Sequence, residues 1–567
     1  QATSNAMFNR VREFLGKRYP DEVINLTLSH SAAALQADYQ STVCRLDQVY
    51  DQEGGNVVAS EWHTARKRTL LSPYGVGTID QGLMGVVRSR HQFVRLFGLA
   101  GRTVILDEIH AYDLYTSTLL ERFLEWAAVL GSPVIALSAT LPKSTRQRLL
   151  NAYAVGAGKP KPELPVADYP RFTAFSEAGT IAHSFEASDH VKRSLQICWL
   201  KEEEWGGSLQ ETLKDGGCAA VICSTVNRAQ SVFQRLQTYF DVNDLGLFHG
   251  RFLFCDREEI EKKCLKWFGK GNEYRPHRFV LVATQVIEQS LDVDFDLMIS
   301  DMAPIDLLLQ RSGRLHRHVR EDRPLALKTP ALGIIEPSFN QEGKADFNES
   351  RYIYDRHILL RSWLSLRHCP SIQLPKDTDP LIESVYDLEC AIPDNVESHH
   401  AEDWQESLET YKTEEEERKR TIANQVKLPP PHGRNDFDDF TRMGNLGRKE
   451  DDESTIAAVT RLGEPSVTTI FLQRTQKGLV MPGTETYIDL KKRPNLEKIR
   501  ELLSYSTRLS KKPIVSTLVA QSNPQTWTSA LLRNCRYVEV DENRIAIIGE
   551  WKLTLDLQLG VLIEKAS

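Results

Sequence analysis

No run of apolar side chains in this 567-residue chain approaches the ~20 residues a bilayer-spanning helix needs, so no membrane span is expected. Nine cysteines are scattered without a CxxC pair. That excludes a thiolate zinc site and a disulfide framework, and it suits reduced thiols in a cytosolic protein. There is no excess of positive charge: the formal net charge is −7, so any nucleic-acid binding has to come from local patches. No GxxxxGK[ST] loop occurs, and with it the usual backbone cradle and Lys for nucleotide phosphates are missing. No His-Asp cluster with neighbouring metal-binding histidines is present, and His399-His400 stands alone in a polar stretch that reads as solvated. The chain opens without an initiator Met and without an apolar signal-peptide core. Gln1 to Phe8 reads as a native loop-to-helix start, capped by Thr3 or Ser4 and carrying Met7, Phe8, Val11, Phe14 and Leu15 on one side.

What is present centres on Arg278 to His318. Phe279 to Ala283 is a short β-rich apolar run of the kind a parallel strand buried on both faces requires, and it breaks at Thr284-Gln285. A second such run, Leu297 to Ser300, ends at Asp301 and leads into Gln310 to Arg317. Ligands of open α/β sheets bind outside the carboxyl ends of the strands, where these polar residues fall. Arg311, Arg314 and Arg317 repeat every three residues at the start of a helix and are expected to share one face. With Gln310 and Gly313 interleaved, they fit charge neutralisation of a transferring phosphoryl group better than a solvated surface.

Upstream, a strand at Val23 to Leu28 precedes an Ala-rich helix from Ser31, and Gly75 to Gln81 is a polar turn opening another helix. The strand Thr103 to Leu106 ends in Asp107-Glu108, two adjacent carboxylates that need a cation or donors. A helix over Leu114 to Leu130 connects it to the strand Pro133 to Leu137, which ends in Ser138-Ala139-Thr140. Strand–helix–strand of this length is a parallel crossover unit. After a Pro-rich linker at Lys159 to Pro170, strands recur at Ala219 to Cys223, ending in Ser224-Thr225, and at Leu245 to Phe248, ending in His249-Gly250-Arg251. Tyr352 to Arg367 reads as an amphipathic helix, Glu402 to Arg420 as a solvated one, and Asn435 to Glu453 as a mobile linker. Thr486 to Leu490, Tyr537 to Ile548 and Leu553 to Ile563 have strand-like patterning in a small α+β terminal domain.

Two α/β units with phosphate-handling groups at their strand ends imply a nucleotide held in a cleft between them. Asp107 would hold Mg²⁺ through water, Glu108 would activate the attacking water, and Arg314 and Arg317 would reach in from the second unit.

Asp107-Glu108-Ile109-His110, Ser138-Ala139-Thr140 and Gln310 to Arg317 resemble motifs II, III and VI of superfamily 2 helicases. DEIHAYD at Asp107 to Asp113, GTIDQGLM at Gly77 to Met84, LSATLP at Leu137 to Pro142, ATQVIEQSLDVDFD at Ala283 to Asp296 and the opening QATSNAMF are similar to the CRISPR-associated helicase-nuclease of type I systems. Six motifs in one order over Gln1 to His318 are specific where any one is weak. The resemblance implies two RecA-like parallel-sheet motor domains, 1–160 (truncated at its start) and 161–345, then a helical linker with a mobile loop, 346–455, and an α+β accessory domain, 456–567. It implies an ATP- and Mg²⁺-dependent single-stranded DNA translocase and helicase of the prokaryotic cytoplasm, working with a crRNA-guided interference complex of Cascade type. The family's nuclease domain, with its own divalent metal, and its Walker A segment would lie before Gln1.

By the same resemblance Asp107, Glu108, Gln310, Arg314 and Arg317 are candidate catalytic groups, with Asp107 serving the metal. His110, Ser138, Thr140, Asp292 and Arg311 would hold the nucleotide. Thr3, Thr78, Ser224, Thr225 and Thr284, with His249 and Arg251, would line the DNA track, although ordinary cap or strand-end duty fits the isolated threonines equally well. Two alternatives stay open on these residues: a catalytically silent scaffold that binds DNA and the complex, and an unrelated DEAH-like RNA helicase.

Overall fold

The computed structural model describes residues 2–30, 33, 39, 42–44, 57–60, 63, 68–89, 92–109, 113–271, 273–288, 291–392, 396–432, 460–463, 465–476 and 478–566. The Ala-rich segment after Ser31 and the linker Asn435 to Glu453 fall mostly or wholly outside them. The chain divides into two compact units, Gln1–Ser184 with Lys412–Gly463, and Phe185–Tyr411 with Glu464–Ser567. This division cuts across the spans read from the sequence: 161–184 goes with the first unit, 346–411 with the second.

In the first unit β1 (Ile24–Ser29), β2 (Val43–Cys44), β3 (Val57–Ser60) and β4 (Tyr74–Gly77) form a parallel sheet in the order β2-β3-β1-β4. A separate parallel pair, β5 (Val104–Leu106) and β6 (Val134–Ala136), is joined by the expected crossover helix, Leu114–Val129. That helix starts where Asp113 accepts the Thr116 N–H at 2.9 Å, a standard N-cap. Its Leu119, Phe123 and Leu124 are buried with Leu83 and Leu106, and Ala423 and Leu428 of the returning segment join the same cluster. A hairpin, β7 (Arg171–Ser176) and β8 (Gly179–Ser184), completes the unit. The opening helix, Ala2–Arg18, buries Phe8 and Leu15, seven residues apart and so on one face. Phe14, expected beside them, sits part-way round the helix and is exposed.

The second unit is built on a seven-stranded sheet. β9 (Arg193–Leu200), β10 (Gly217–Ile222), β11 (Leu245–Phe248), β12 (Arg278–Ala283), β13 (Leu297–Ser300) and β14 (Ala331–Ile335) run parallel in the order β11-β12-β10-β13-β14-β9, and Ser371–Leu374 adds an antiparallel edge to β9. Alternation along β10 explains why it reads as an unbroken apolar run. Cys218, Ala220 and Ile222 pack into one cluster, while Ala219, Val221 and Cys223 pack into the cluster on the other face.

Three expectations are corrected here. The helix after the sheet is Arg356–Leu366 and is buried nearly all round, so it is a core helix rather than an amphipathic one. His400 is buried beside Phe339 and Trp363, because the charged helix Ser398–Thr410 lays its Trp404 face into the core. Thr486 to Leu490 forms no strand, only a bridge from Tyr487 to Val480. The terminal segment pairs Val467–Thr475 with Gly478–Val480, Ser506–Leu509 and Arg536–Val540, followed by a meander of Ile545–Ile548, Trp551–Asp556 and Gly560–Lys565.

Candidate functional site

In the first unit Asp107 and Glu108 follow β5 directly and are both exposed. Glu108 holds φ at +53°, a backbone that costs a side-chain-bearing residue of order 1–3 kcal/mol and that clusters at functional sites. Its N–H donates to Asp107 Oδ1 at 3.0 Å, so the first carboxylate closes the turn that exposes both. The Ile109 N–H donates to the Leu137 carbonyl at 3.2 Å, binding this turn to the end of β6. There Ser138 Oγ donates to the Thr140 carbonyl at 3.1 Å, and Thr140 is buried with no partner for its hydroxyl among the described residues. Two parallel strands thus deliver two carboxylates and two hydroxyls to one edge. His110 lies outside the described residues.

Thr78 follows β4 and donates its N–H to the Ser29 carbonyl at 3.2 Å. A Cβ on Gly77 would come within 2.7 Å of that carbonyl oxygen, so only glycine lets β4 end this close to β1. Thr3 lies in the first helix, and its side chain is outside what the structure describes.

In the second unit the arginines separate. The helix expected to carry all three is Ile305–Ser312, which ends before Arg314. Gly313 caps it, and the chain then pairs with Phe295: the Phe295 N–H reaches the Arg314 carbonyl at 2.9 Å and the His316 N–H the Phe295 carbonyl at 3.1 Å. The three-residue spacing therefore puts the arginines in three environments instead of on one face. Arg311 is fully buried, its guanidinium donating to Glu288 Oε1 at 2.6 Å, Ser300 Oγ at 2.6 Å and Tyr354 Oη at 3.1 Å. A role for it as a direct nucleotide contact gives way to one beneath the surface. Arg314 is half-buried and donates to the Glu288 carbonyl at 2.8 Å. Arg317 is exposed and donates to Asp292 Oδ1 at 2.5 Å. Burial raises the Asp292 carboxyl, but the hydrogen bond and charge of Arg317 outweigh it and hold it below its ordinary range. Gln310 is half-buried on the last turn of the helix.

The residues assigned to a DNA track are largely bonded within the fold. Ser224 donates its N–H to Asp301 Oδ2 at 2.8 Å and shares its hydroxyl with Ser350 at 2.7 Å. Thr225 caps the following helix and bonds Glu349 at 2.5 Å. Thr284 is buried, its N–H on the Phe248 carbonyl at 3.2 Å. His249 is 0 % exposed, stacked on Phe252 with Nε2 donating to the Leu559 carbonyl at 3.1 Å, so its surface role is corrected to a buried one. Arg251 remains part-exposed, with Nη2 on Asn227 Oδ1 at 2.5 Å, and burial pulls it down to about 10.

Sequence reasoning passed over Glu288, Gln285 and Tyr354, which hold Arg311 or its neighbours. Glu288 carried a faint signal, an acidic residue directly after the apolar pair Val286-Ile287 in the turn that follows the strand. Tyr354 carried none. A buried ionic cluster was also passed over: Asp294 and Asp296 bind Arg275, Arg320 and Arg323, and fasten the segment after Arg317 beneath the sheet. Among the described residues no helix is long and apolar enough to cross a membrane, and no group of three or more His, Cys, Asp and Glu could hold a metal.

Residues 215–320 match the family described as CRISPR-associated nuclease/helicase Cas3, C-terminal, and residues 461–561 match the Cas3 C-terminal domain. The CRISPR-associated endonuclease/helicase Cas3 of Thermus thermophilus is 35% identical over 613 residues, covering 99% of this chain and 65% of that protein. The solved structure of T. fusca Cas3 with ATP matches with a TM-score of 0.83 and 30% identity, over 99% of this chain and 64% of that one. A chain of a CRISPR RNA-guided surveillance complex, pre-nicking, matches with a TM-score of 0.73 and 28% identity, over 98% of this chain and 66% of that one. This chain therefore spans slightly less than two thirds of the length of these relatives.

Proposed function

The chain belongs with the Cas3 nuclease/helicases, and from that premise we propose that it is the ATP-driven motor of such a protein. Its work would be to translocate along single-stranded DNA and unwind the target duplex, feeding it to degradation in type I CRISPR interference. The observation that carries the reading is chemical. Parallel strands of one unit end in the exposed pair Asp107-Glu108, and the segment after β13 of the other ends in the surface arginines Arg314 and Arg317. Paired carboxylates and arginines are both groups that phosphoryl transfer uses. Adjacent exposed carboxylates suit a hydrated Mg²⁺, which binds through one or two carboxylates and keeps its waters. Asp107 would hold that ion, whose charge offsets that of the phosphates. Glu108 takes the proton of the attacking water, Gln310 orients that water, and Arg314 and Arg317 stabilise the charge on the transferring phosphoryl group. Ser138 and Thr140 sense the phosphate from the end of β6, and Asp292 holds Arg317 in place. Thr78, Arg251 and the backbone around Ser224, Thr225 and Thr284 grip the DNA phosphates without reading sequence. A crRNA-guided complex would be its partner, a reading supported by the likeness to a chain of a CRISPR RNA-guided surveillance complex, and the prokaryotic cytoplasm would be its compartment.

One observation favours a second reading, a scaffold that binds DNA and the complex without turnover: the chain holds no GxxxxGK[ST] loop. The test joins this chain to a Walker A segment and follows phosphate release and strand displacement. Single-stranded DNA should accelerate release well beyond any effect of RNA. Stimulation by RNA instead would assign the chain to RNA helicases, and no turnover at all would leave the scaffold.

A further inference from the structure

Beneath the surface arginines lies a hydrogen-bonded hub centred on a side chain outside every strand-end motif. The Tyr354 hydroxyl accepts from Gln285 Nε2 at 3.1 Å and from Arg311 Nη2 at 3.1 Å. Gln285, in the turn after β12, also donates from Nε2 to the Ser224 carbonyl at 2.8 Å, at the end of β10. Arg311 also donates to Glu288 and Ser300, and the Glu288 carbonyl in turn accepts from Arg314. Tyr354 itself is held from behind. The next residue, Asp355, caps Arg356–Leu366 through the N–H groups of His357 and Ile358, and Ser350 just upstream bonds Ser224. One oxygen atom thus joins the turns proposed to meet DNA to the arginine proposed to support the nucleotide side.

Resting on the motor reading above, we propose that Tyr354 is a positioning residue that couples the DNA-facing turns at Ser224 and Gln285 to the arginine segment Arg311–Arg314. Hydrogen bonds weaken steeply with distance and angle, and they act strongly in a buried, low-dielectric setting. A shift of the Gln285 turn on DNA binding therefore pulls on Arg311 through the shared oxygen, and on Arg314 through Glu288. The charge of Arg311 is met by Glu288 whether or not the phenol is there, so removing the hydroxyl loosens the link without unpairing a buried ion. Coupling between two sites is a free energy of its own, separable from the affinity or rate at either site.

The experiment uses this chain joined to its Walker A segment, with ATP, Mg²⁺ and an unstructured single-stranded DNA. In Tyr354→Phe the basal kcat and KM for ATP should stay within about twofold, while the stimulation of kcat by DNA falls about tenfold, the effect of one lost hydrogen bond to a charged group. Gln285→Ala, which breaks the same link from the other side and also frees the Ser224 carbonyl, should lower the stimulation too, and adding Tyr354→Phe to it should cause no further loss of stimulation. Stimulation equal to that of the unchanged protein in Tyr354→Phe overturns the proposal. So does an equal loss of basal and stimulated rates, since the phenol would then only support the fold. If the unchanged protein is not stimulated by DNA, the motor reading fails first and the coupling with it.

Discussion

Arg311, Arg314 and Arg317 lie within seven residues and sit in three different environments, buried, half-buried and exposed. Arg311 pairs with Glu288 out of contact with water, so Arg311→Ala would strand a buried carboxylate. A loss of about 3–5 kcal/mol in unfolding free energy is expected in denaturant titration. Arg314→Ala and Arg317→Ala should leave stability almost unchanged and slow hydrolysis in the complete motor by roughly 10³, with nucleotide affinity little altered, because charge on the phosphoryl group develops only in the transition state. Equal losses of rate and affinity would mean that they only hold the nucleotide. Asp107→Asn removes the charge proposed to hold the metal from a turn that meets no proposed DNA contact. ATP turnover should vanish while single-stranded DNA binding, read by fluorescence anisotropy, stays close to normal; retained Mg²⁺-dependent turnover would sink the assignment.

Among the elements, the meander near the end of the chain shows most clearly how one piece constrains another. Its turn Asp556 to Gly560 lies over β11: the Leu559 carbonyl accepts from His249 and Gln230, and the Val561 N–H donates to the Arg251 carbonyl at 3.0 Å. Gly560 makes the approach feasible, at φ +69° with a Cβ that would meet the Arg251 carbonyl at 3.0 Å. Burial first, and the nearby Arg251 charge second, push His249 down from an ordinary 6.5 to about 3. Between those two values the unfolded chain takes up a proton that the docked form refuses, so stability falls as pH drops through that window. The slope from this one group is at most about 1.4 kcal/mol per pH unit. His249→Gln keeps a donor for the Leu559 carbonyl but does not titrate, so its unfolding free energy should decline less steeply between pH 6 and 4. An unaltered slope would show that His249 is not the group responsible.

At the scale of the whole molecule, the first unit leaves apolar side chains of its strand pair exposed. Ile105, Ile135 and Leu137, on β5, on β6 and just after it, are 63%, 47% and 46% exposed, next to the carboxylates Asp107 and Glu108 proposed to serve the nucleotide. The polypeptide Gln1 to Ser567 holds the groups proposed for the γ-phosphate but no GxxxxGK[ST] loop to cradle the β-phosphate, and misplacement alone costs orders of magnitude in rate. It should therefore bind single-stranded DNA yet release no phosphate from ATP above background. Turnover that appears when a Walker A segment is supplied would confirm the assignment of parts; robust turnover without it would mean that another loop cradles the phosphates.

The strand ends were legible in the sequence for a local reason. A parallel strand covered on both faces must be apolar without interruption, so Leu245 to Phe248 and Leu297 to Ser300 announce their own limits, and the polar residues after them mark the edge where ligands bind. The crossover helix from Leu114 was equally plain, because a helical apolar stripe is written in neighbouring residues. Spacing could not tell that the helix at Ile305 stops at Ser312, since Gly313 and the pairing of Arg314 and His316 with Phe295 decide it. Nor could it tell that His249 is covered by Leu559, 310 residues further on, or that Tyr354 meets both Gln285 and Arg311. Period and propensity are properties of adjacent residues, whereas a side chain's exposure and partners are set by whichever distant segment packs against it, and only the folded chain brings those segments together.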